Sequence, residues 1–115
     1  MRLAIIGSRS FNDYNLVHQT LSPYKSKITL VVSGAARGAD SLGEKWAIDN
    51  QIPTLIFPAD WNKYGKRAGY IRNEDIIKNC DICVAFWDGL SNGTKHSLSL
   101  CEKYNKKYSI IKYII

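Results

Sequence analysis

Ser33-Gly-Ala-Ala-Arg-Gly-Ala-Asp40 is a run of small residues with an arginine inside it, set between the apolar stretch Ile28 to Val32 and a helical pattern. Gly34 and Gly38 allow positive φ and close backbone approach, and the first amides of the following helix have no intrahelical acceptor. Those amides face whatever fills the turn, which suits an anion. Arg37 adds a guanidinium able to grip phosphate or carboxylate with two parallel hydrogen bonds. A single glycine-rich turn can equally serve chain geometry alone, so the other segments decide its meaning.

Gly7-Ser-Arg-Ser-Phe11 repeats the combination of glycine, hydroxyls and arginine. Ser8, Ser10 and Ser33 suit phosphate or ribose, and suit turn backbone groups as well. A charge-assisted hydrogen bond contributes about 1.5–3 kcal/mol, which makes Arg9 and Arg37 the strongest candidates for fixing a phosphate-bearing ligand. Asp40 can bind ribose or stabilise the start of its helix. Arg72 and Asn73 precede Ile76 and Ile77 by four residues, which puts each on an inward-facing helix side, one turn nearer the N-terminus. They are read as ligand-facing, the alternative being a buried polar pair that fixes neighbouring loops. Trp61 and Trp87 fall just past strand ends, where an indole stacks on a base for about 1–3 kcal/mol or closes the core. Phe11 has the same two options. The turn from Asp88 to Thr94, with Gly89, Ser91 and Gly93 inside it, is a further glycine-containing loop.

These segments need a scaffold that collects them. Leu3 to Ile6, Ile28 to Val32, Ile52 to Phe57, Ile82 to Trp87 and Lys107 to Ile114 read as strands. Helical patterns cover Asp13 to Leu21, a stretch through Leu42 and Trp46 to Asn50, Arg67 to Asn79, and one through Leu98, Cys101 and Asn105. Ser22-Pro23 stops the first helix, Ser41 and Glu44 have capping-box spacing, and Pro58 and Gly65 bracket an irregular stretch. Alternating strands and helices predict an α/β fold, a Rossmann-like three-layer sandwich with a mainly parallel five-stranded sheet. Ligands of such sheets bind outside the carboxyl ends of the strands, where all four segments converge.

Length limits the 115 residues to one domain with a core of its own. No apolar run approaches membrane-spanning length and no signal-peptide pattern is present, so a cytoplasmic protein without membrane contact is expected. The odd cysteine count fits a reducing compartment, and Cys80-Asp-Ile-Cys83 lacks a second pair at zinc spacing, so no metal or cofactor is expected. The formal net charge of +6 favours anionic partners, although Lys103, Lys106, Lys107 and Lys112 are explained by a solvated face. Nucleic acid is the less favoured anionic partner. No serine-nucleophile elbow, Walker loop or G-x-G-x-x-G fingerprint occurs.

With these residues assembled, the chain resembles the YspA/YpsA-related branch of the SLOG superfamily, which also includes the LOG phosphoribohydrolases and the Rossmann-like core of DprA. The motifs are IIGSRSF at residues 5 to 11, SGAARGAD at 33 to 40, PADW at 58 to 61, AGYIRN at 68 to 73 and AFWDGLSNGT at 85 to 94. The resemblance implies a pocket for nucleotides or nucleotide-derived signals and frequent homodimerisation. Ala35 stands where relatives often carry a second glycine. LOG hydrolases use an arginine, matched by Arg72, and a glutamate after a GGxGT-like turn. Here Asn92-Gly93-Thr94 is followed by Lys95-His96-Ser97, so that carboxylate is missing and Glu102 lies about two turns on. His96 titrates in the right range for acid–base work but has no identifiable partner. The expectation is a pocket that binds a small nucleotide-derived ligand, ADP-ribose-derived or cyclic for example, as a sensor or sequestering protein. N-glycosidic hydrolysis through Arg72 and His96 is the enzymatic alternative, and single-stranded nucleic-acid binding is the third.

Overall fold

The first strand sets the layering. In the computed structural model, which describes residues 1–113, β1 (Arg2–Gly7) sends Leu3 and Ile5 into one core and Ala4 and Ile6 into another. A strand buried on both faces has no use for polar alternation, so it reads as a continuous apolar run. The same holds for β4 (Ile82–Trp87), where Val84 and Phe86 join the first core and Cys83 and Ala85 the second.

The chain continues from β1 through α1 (Tyr14–Leu21), β2 (Leu30–Ser33), α2 (Ala39–Asp49), β3 (Thr54–Ile56), α3 (Trp61–Tyr64), α4 (Ala68–Lys78), β4, α5 (Asn92–Lys103) and β5 (Lys107–Lys112). The sheet order is β3-β2-β1-β4-β5, and every pairing is parallel, with Leu3 opposite Val31 on one side and Ile82 on the other. Residues of α1 and α2 (Val17, Leu21, Trp46, Ala47) fill the first core, and residues of α4 and α5 (Ile76, Ile77, Leu98, Cys101) fill the second. The expected three-layer Rossmann-like sandwich is present, with a fully parallel sheet. The strand order reverses between β1 and β4, which opens a crevice at the carboxyl ends of those two strands.

Local differences have physical causes. Proline at position 23 ends α1 as expected, but the chain then makes a 3₁₀ segment, Ser22–Lys27, and β2 starts at Leu30 instead of Ile28. Ile28 is a buried plug against the first core, not a paired strand residue. β3 is an edge strand of three residues, shorter than Ile52 to Phe57, because Ile52 turns inward and only Thr54 to Ile56 pair along β2. The irregular stretch after Pro58 contains the short helix α3, whose N-cap Asp60 accepts a hydrogen bond from the Lys63 amide at 3.1 Å. Ile114, assigned to the last strand by sequence, lies outside the described residues. Cys80, Cys83 and Cys101 are free and buried, as small core residues should be. Among the described residues no helix is long and apolar enough to cross a membrane.

Candidate ligand cavity at the reversal of the sheet

Ser8 builds the crevice. Its amide donates to the Phe86 carbonyl at 3.0 Å, its carbonyl accepts from the Phe11 and Ala39 amides at 3.2 Å each, and its hydroxyl accepts from the Asp88 amide at 3.1 Å. The β1–α1 loop is thereby tied to α2 and to the β4–α5 loop. Two glycines make this approach possible. A Cβ on Gly7 would run into the Phe86 carbonyl oxygen, and one on Gly38, at φ 75°, into the carbonyls of Ser8 and Arg9.

Between these loops lies a cavity of about 550 Å³, within the range of small-molecule sites. Gly7, Ser8, Arg9, Asp40, Trp61, Arg72, Asn73, Asp88, Ser91, Gly93 and Thr94 line it, so eleven of the residues singled out by sequence meet in one place. A second chamber of about 270 Å³ is lined by Gly34, Ala35 and Arg37 together with Arg9, Trp61 and Arg72. Arg9, Ala36, Trp61 and Arg72 belong to both chambers and form their common wall.

The guanidinium of Arg72 is held in place. Its Nη1 donates to the Gly34 carbonyl at 2.6 Å and its Nε to Asn73 Oδ1 at 3.1 Å. Asn73 passes the constraint on, donating through Nδ2 to the Gly93 carbonyl at 3.4 Å and to His96 Nδ1 at 3.3 Å. Both roles considered for the Arg72–Asn73 pair are thus present together: Asn73 fixes neighbouring loops while Arg72 faces the chambers. Partial burial pulls the Arg72 pKa down, Asp40 pushes it up, and Arg9 pulls it down again. Arg9 and Arg72 line both chambers, so two guanidiniums share one wall. Among the described residues, the ion pairs are Arg2–Asp81, Lys45–Asp49 and Lys78–Glu74, so neither arginine has a carboxylate within ion-pair distance.

Asp40 departs from expectation. The amides that could cradle an external anion already have one, since Gly34 N and Ala36 N donate to Asp40 Oδ2 at 3.2 and 3.4 Å. Asp40 is only 6% exposed, and burial lifts its pKa to about 6 against the opposing pull of Arg72. The capping box is absent: α2 begins after Gly38, Ser41 is exposed, and Glu44 instead accepts from Ser33 Oγ at 2.7 Å.

Five residues expected at the ligand do not line either chamber. Phe11 is 2% exposed and stacks on Phe86 at 4.9 Å between ring centres, so it took the core option. Trp87 packs against the second core and donates its indole N–H to the Ser91 carbonyl at 3.1 Å. Ser33 is buried on Glu44, Gly38 is filled in by backbone, and a Cβ on Gly89 would meet open space. His96 lies behind Asn73 with its ring edge against Tyr70, and burial lowers its pKa. Lys66, Tyr70 and Ser97 line the main chamber without having been singled out. The signal for Lys66 and Tyr70 was their place in AGYIRN and the turn before it. Ala35 sits at φ 60°, the left-handed backbone that makes glycine the easier residue there.

The model of the YspA, cpYpsA-related SLOG family matches residues 1–64, the part that carries the first two glycine turns. The chain belongs to this family. It is 37% identical over 115 positions to the Gene 61 protein of Mycobacterium phage D29, covering 89% of each sequence. A solved structure of DNA processing protein A from Helicobacter pylori, described by its single-stranded DNA binding mode, superposes with a TM-score of 0.73 at 22% identity. That likeness covers 100% of this chain and 66% of the other, and it shows a shared fold. The SLOG resemblance read from the motifs is thereby established for the chain.

Proposed function

We propose that the double chamber binds a small nucleotide-derived ligand, with a phosphate between Arg9 and Arg72 and a base toward Trp61. The observation that carries this reading is the wall common to both chambers, where two guanidiniums have no carboxylate within ion-pair distance among the described residues. Cations placed so are complementary to an anion that bridges them. Trp61 is 52% exposed on the same wall, free to stack on a base. A signalling nucleotide such as an ADP-ribose derivative or a cyclic nucleotide fits this chemistry, and sensing or sequestering it is the role proposed.

Calorimetry with a panel of nucleotides tests the reading. Arg72→Ala removes a charge-assisted contact and is expected to weaken binding by about 1.5–3 kcal/mol, with Arg9→Ala acting in the same direction. A panel in which no phosphorylated member binds refutes it. Asp40, titrating near neutrality inside the chamber, meets one condition for acid–base catalysis. Chromatography of the titrated mixtures therefore accompanies the calorimetry. Ligand recovered unchanged assigns binding alone, and free base released assigns N-glycosidic hydrolysis.

A second reading has its own observation. Trp61, Lys63, Lys66, Arg67 and Tyr70 are all exposed along one short stretch at the rim, and interleaved aromatics and cations suit a single strand of nucleic acid. An oligonucleotide shift at low salt that vanishes in Lys66→Ala/Arg67→Ala supports it; no shift at low salt dismisses it.

A further inference from the structure

The proposed phosphate position has a carboxylate beside it. Asp40 Oδ2 is held by the Gly34 and Ala36 amides, whereas Oδ1 accepts no hydrogen bond among the described residues, and Asp40 lines the main chamber. A side chain on Gly34 would touch both Arg72 Nη1 and Asp40 Oδ2, so guanidinium and carboxyl converge on one face of that glycine. An anion drawn to Arg9 and Arg72 therefore arrives next to an oxygen that offers lone pairs and no donor.

Two anionic oxygens at that range repel, and a single proton between them converts the repulsion into a strong O–H···O bond. Resting on the phosphate reading above, we propose that this site takes its anion together with one proton, shared between Asp40 and the anion, and so prefers phosphate-type anions that carry a proton over anions that carry none. The proton is accessible because burial has already brought Asp40 to about 6. The groups around it are Arg72 of α4, which opposes protonation, Glu44 of α2, which favours it, Arg9 of the β1–α1 loop, and the Cys83 thiol of β4. Asp88 lines the same chamber from the β4–α5 loop.

The linkage has a definite sign. An anion without a proton must draw one from solvent, so its affinity falls about tenfold per pH unit above the free pKa of Asp40, up to the pKa that Asp40 has in the complex. An anion that brings its own proton escapes this loss. Sulfate and inorganic phosphate are the matched probes, since near pH 8 phosphate still carries a proton and sulfate carries none.

Titration calorimetry of the whole chain with each anion, at about pH 6 and about pH 8 in pairs of buffers with different ionisation heats, tests this. The expected result is comparable binding near pH 6, a preference of about tenfold or more for phosphate near pH 8, and uptake of close to one proton by sulfate complexes above neutrality. Asp40→Asn is expected to remove both the preference and the pH dependence. Sulfate binding in the natural chain that is independent of pH and takes up no proton overturns the proposal, and needs no variant. If inorganic anions bind too weakly to measure, the same proton count is made on a 5′-monophosphate, where absence of uptake again overturns it. Failure of every anion and nucleotide to bind refutes the phosphate reading itself, an outcome separate from binding without a proton.

Discussion

Two strand-to-helix turns of this protein each close on an aspartate, and the two carboxyls end in opposite states. After β4, Asp88 accepts from the Leu90 and Ser91 amides at 2.8 and 2.9 Å, at the solvent-facing rim, and those amides lower its pKa. After β2, Asp40 reaches back from the first turn of α2 to the Gly34 and Ala36 amides, under nearly complete burial, and its pKa rises to about 6. Amide donors favour the charged form in both turns, and loss of hydration overrides them only in the buried one. The difference separates a carboxylate that shapes a loop from one that is poised to exchange a proton.

The sharpest way to break the comparison is through the glycines that hold the turns. Gly38→Ala puts a methyl group into the carbonyls of Ser8 and Arg9 at φ 75°, and urea unfolding is expected to show a loss of about 3 kcal/mol or more. Gly89→Ala has the same left-handed strain, at φ 84°, but open space around it, and is expected to lose only about 1 kcal/mol. Equal losses would mean that the two turns are equally constrained.

Of the two carboxyls, Asp40 comes between these in size and Asp88 below both. Asp40 binds its proton more tightly folded than unfolded, so its contribution is most favourable below about 4, declines as pH rises toward 6, and is constant above. Moving from its usual value of 3.8 to about 6 corresponds to as much as about 3 kcal/mol lost by neutral pH. Asp40→Asn is therefore expected to stabilise the protein at pH 7 by up to about 2–3 kcal/mol and to flatten that stretch of the pH–stability curve. Asp88 has the opposite sign: its depressed pKa gives stability above the unfolded value that is lost as pH falls through the folded one. Asp88→Asn is expected to destabilise slightly near pH 7, the smallest of these effects, measured by the same unfolding curves.

Much of the scaffold was legible because the central strands are buried on both faces, and Leu3 to Ile6 and Ile82 to Trp87 show it as unbroken apolar runs. The strand ends were not legible, since Ile28 and Ile52 are apolar for packing and not for pairing. In the site, four-residue spacing to Ile76 and Ile77 put Arg72 and Asn73 on the helix side that lines the cavity. The choice between ligand and core for Phe11 and Trp87 was hidden for a single reason. An aromatic just past a strand end can turn toward core or solvent, and only the neighbouring side chains, Phe86 for one and Ser91 for the other, decide. The amide contacts of Asp40 were hidden because they depend on the fold of a loop with a left-handed alanine in it.

Ser8 carries a further consequence. Because one residue ties its own loop to β4, α2 and the β4–α5 loop through three hydrogen bonds, the walls of the cavity are ordered as the sheet forms. Little entropy then remains to be lost on association. Ligand capture should accordingly behave as docking to a rigid frame, with fast entry, and with the amides of Ala39 and Asp88 as slow to exchange hydrogen in the empty protein as in the loaded one.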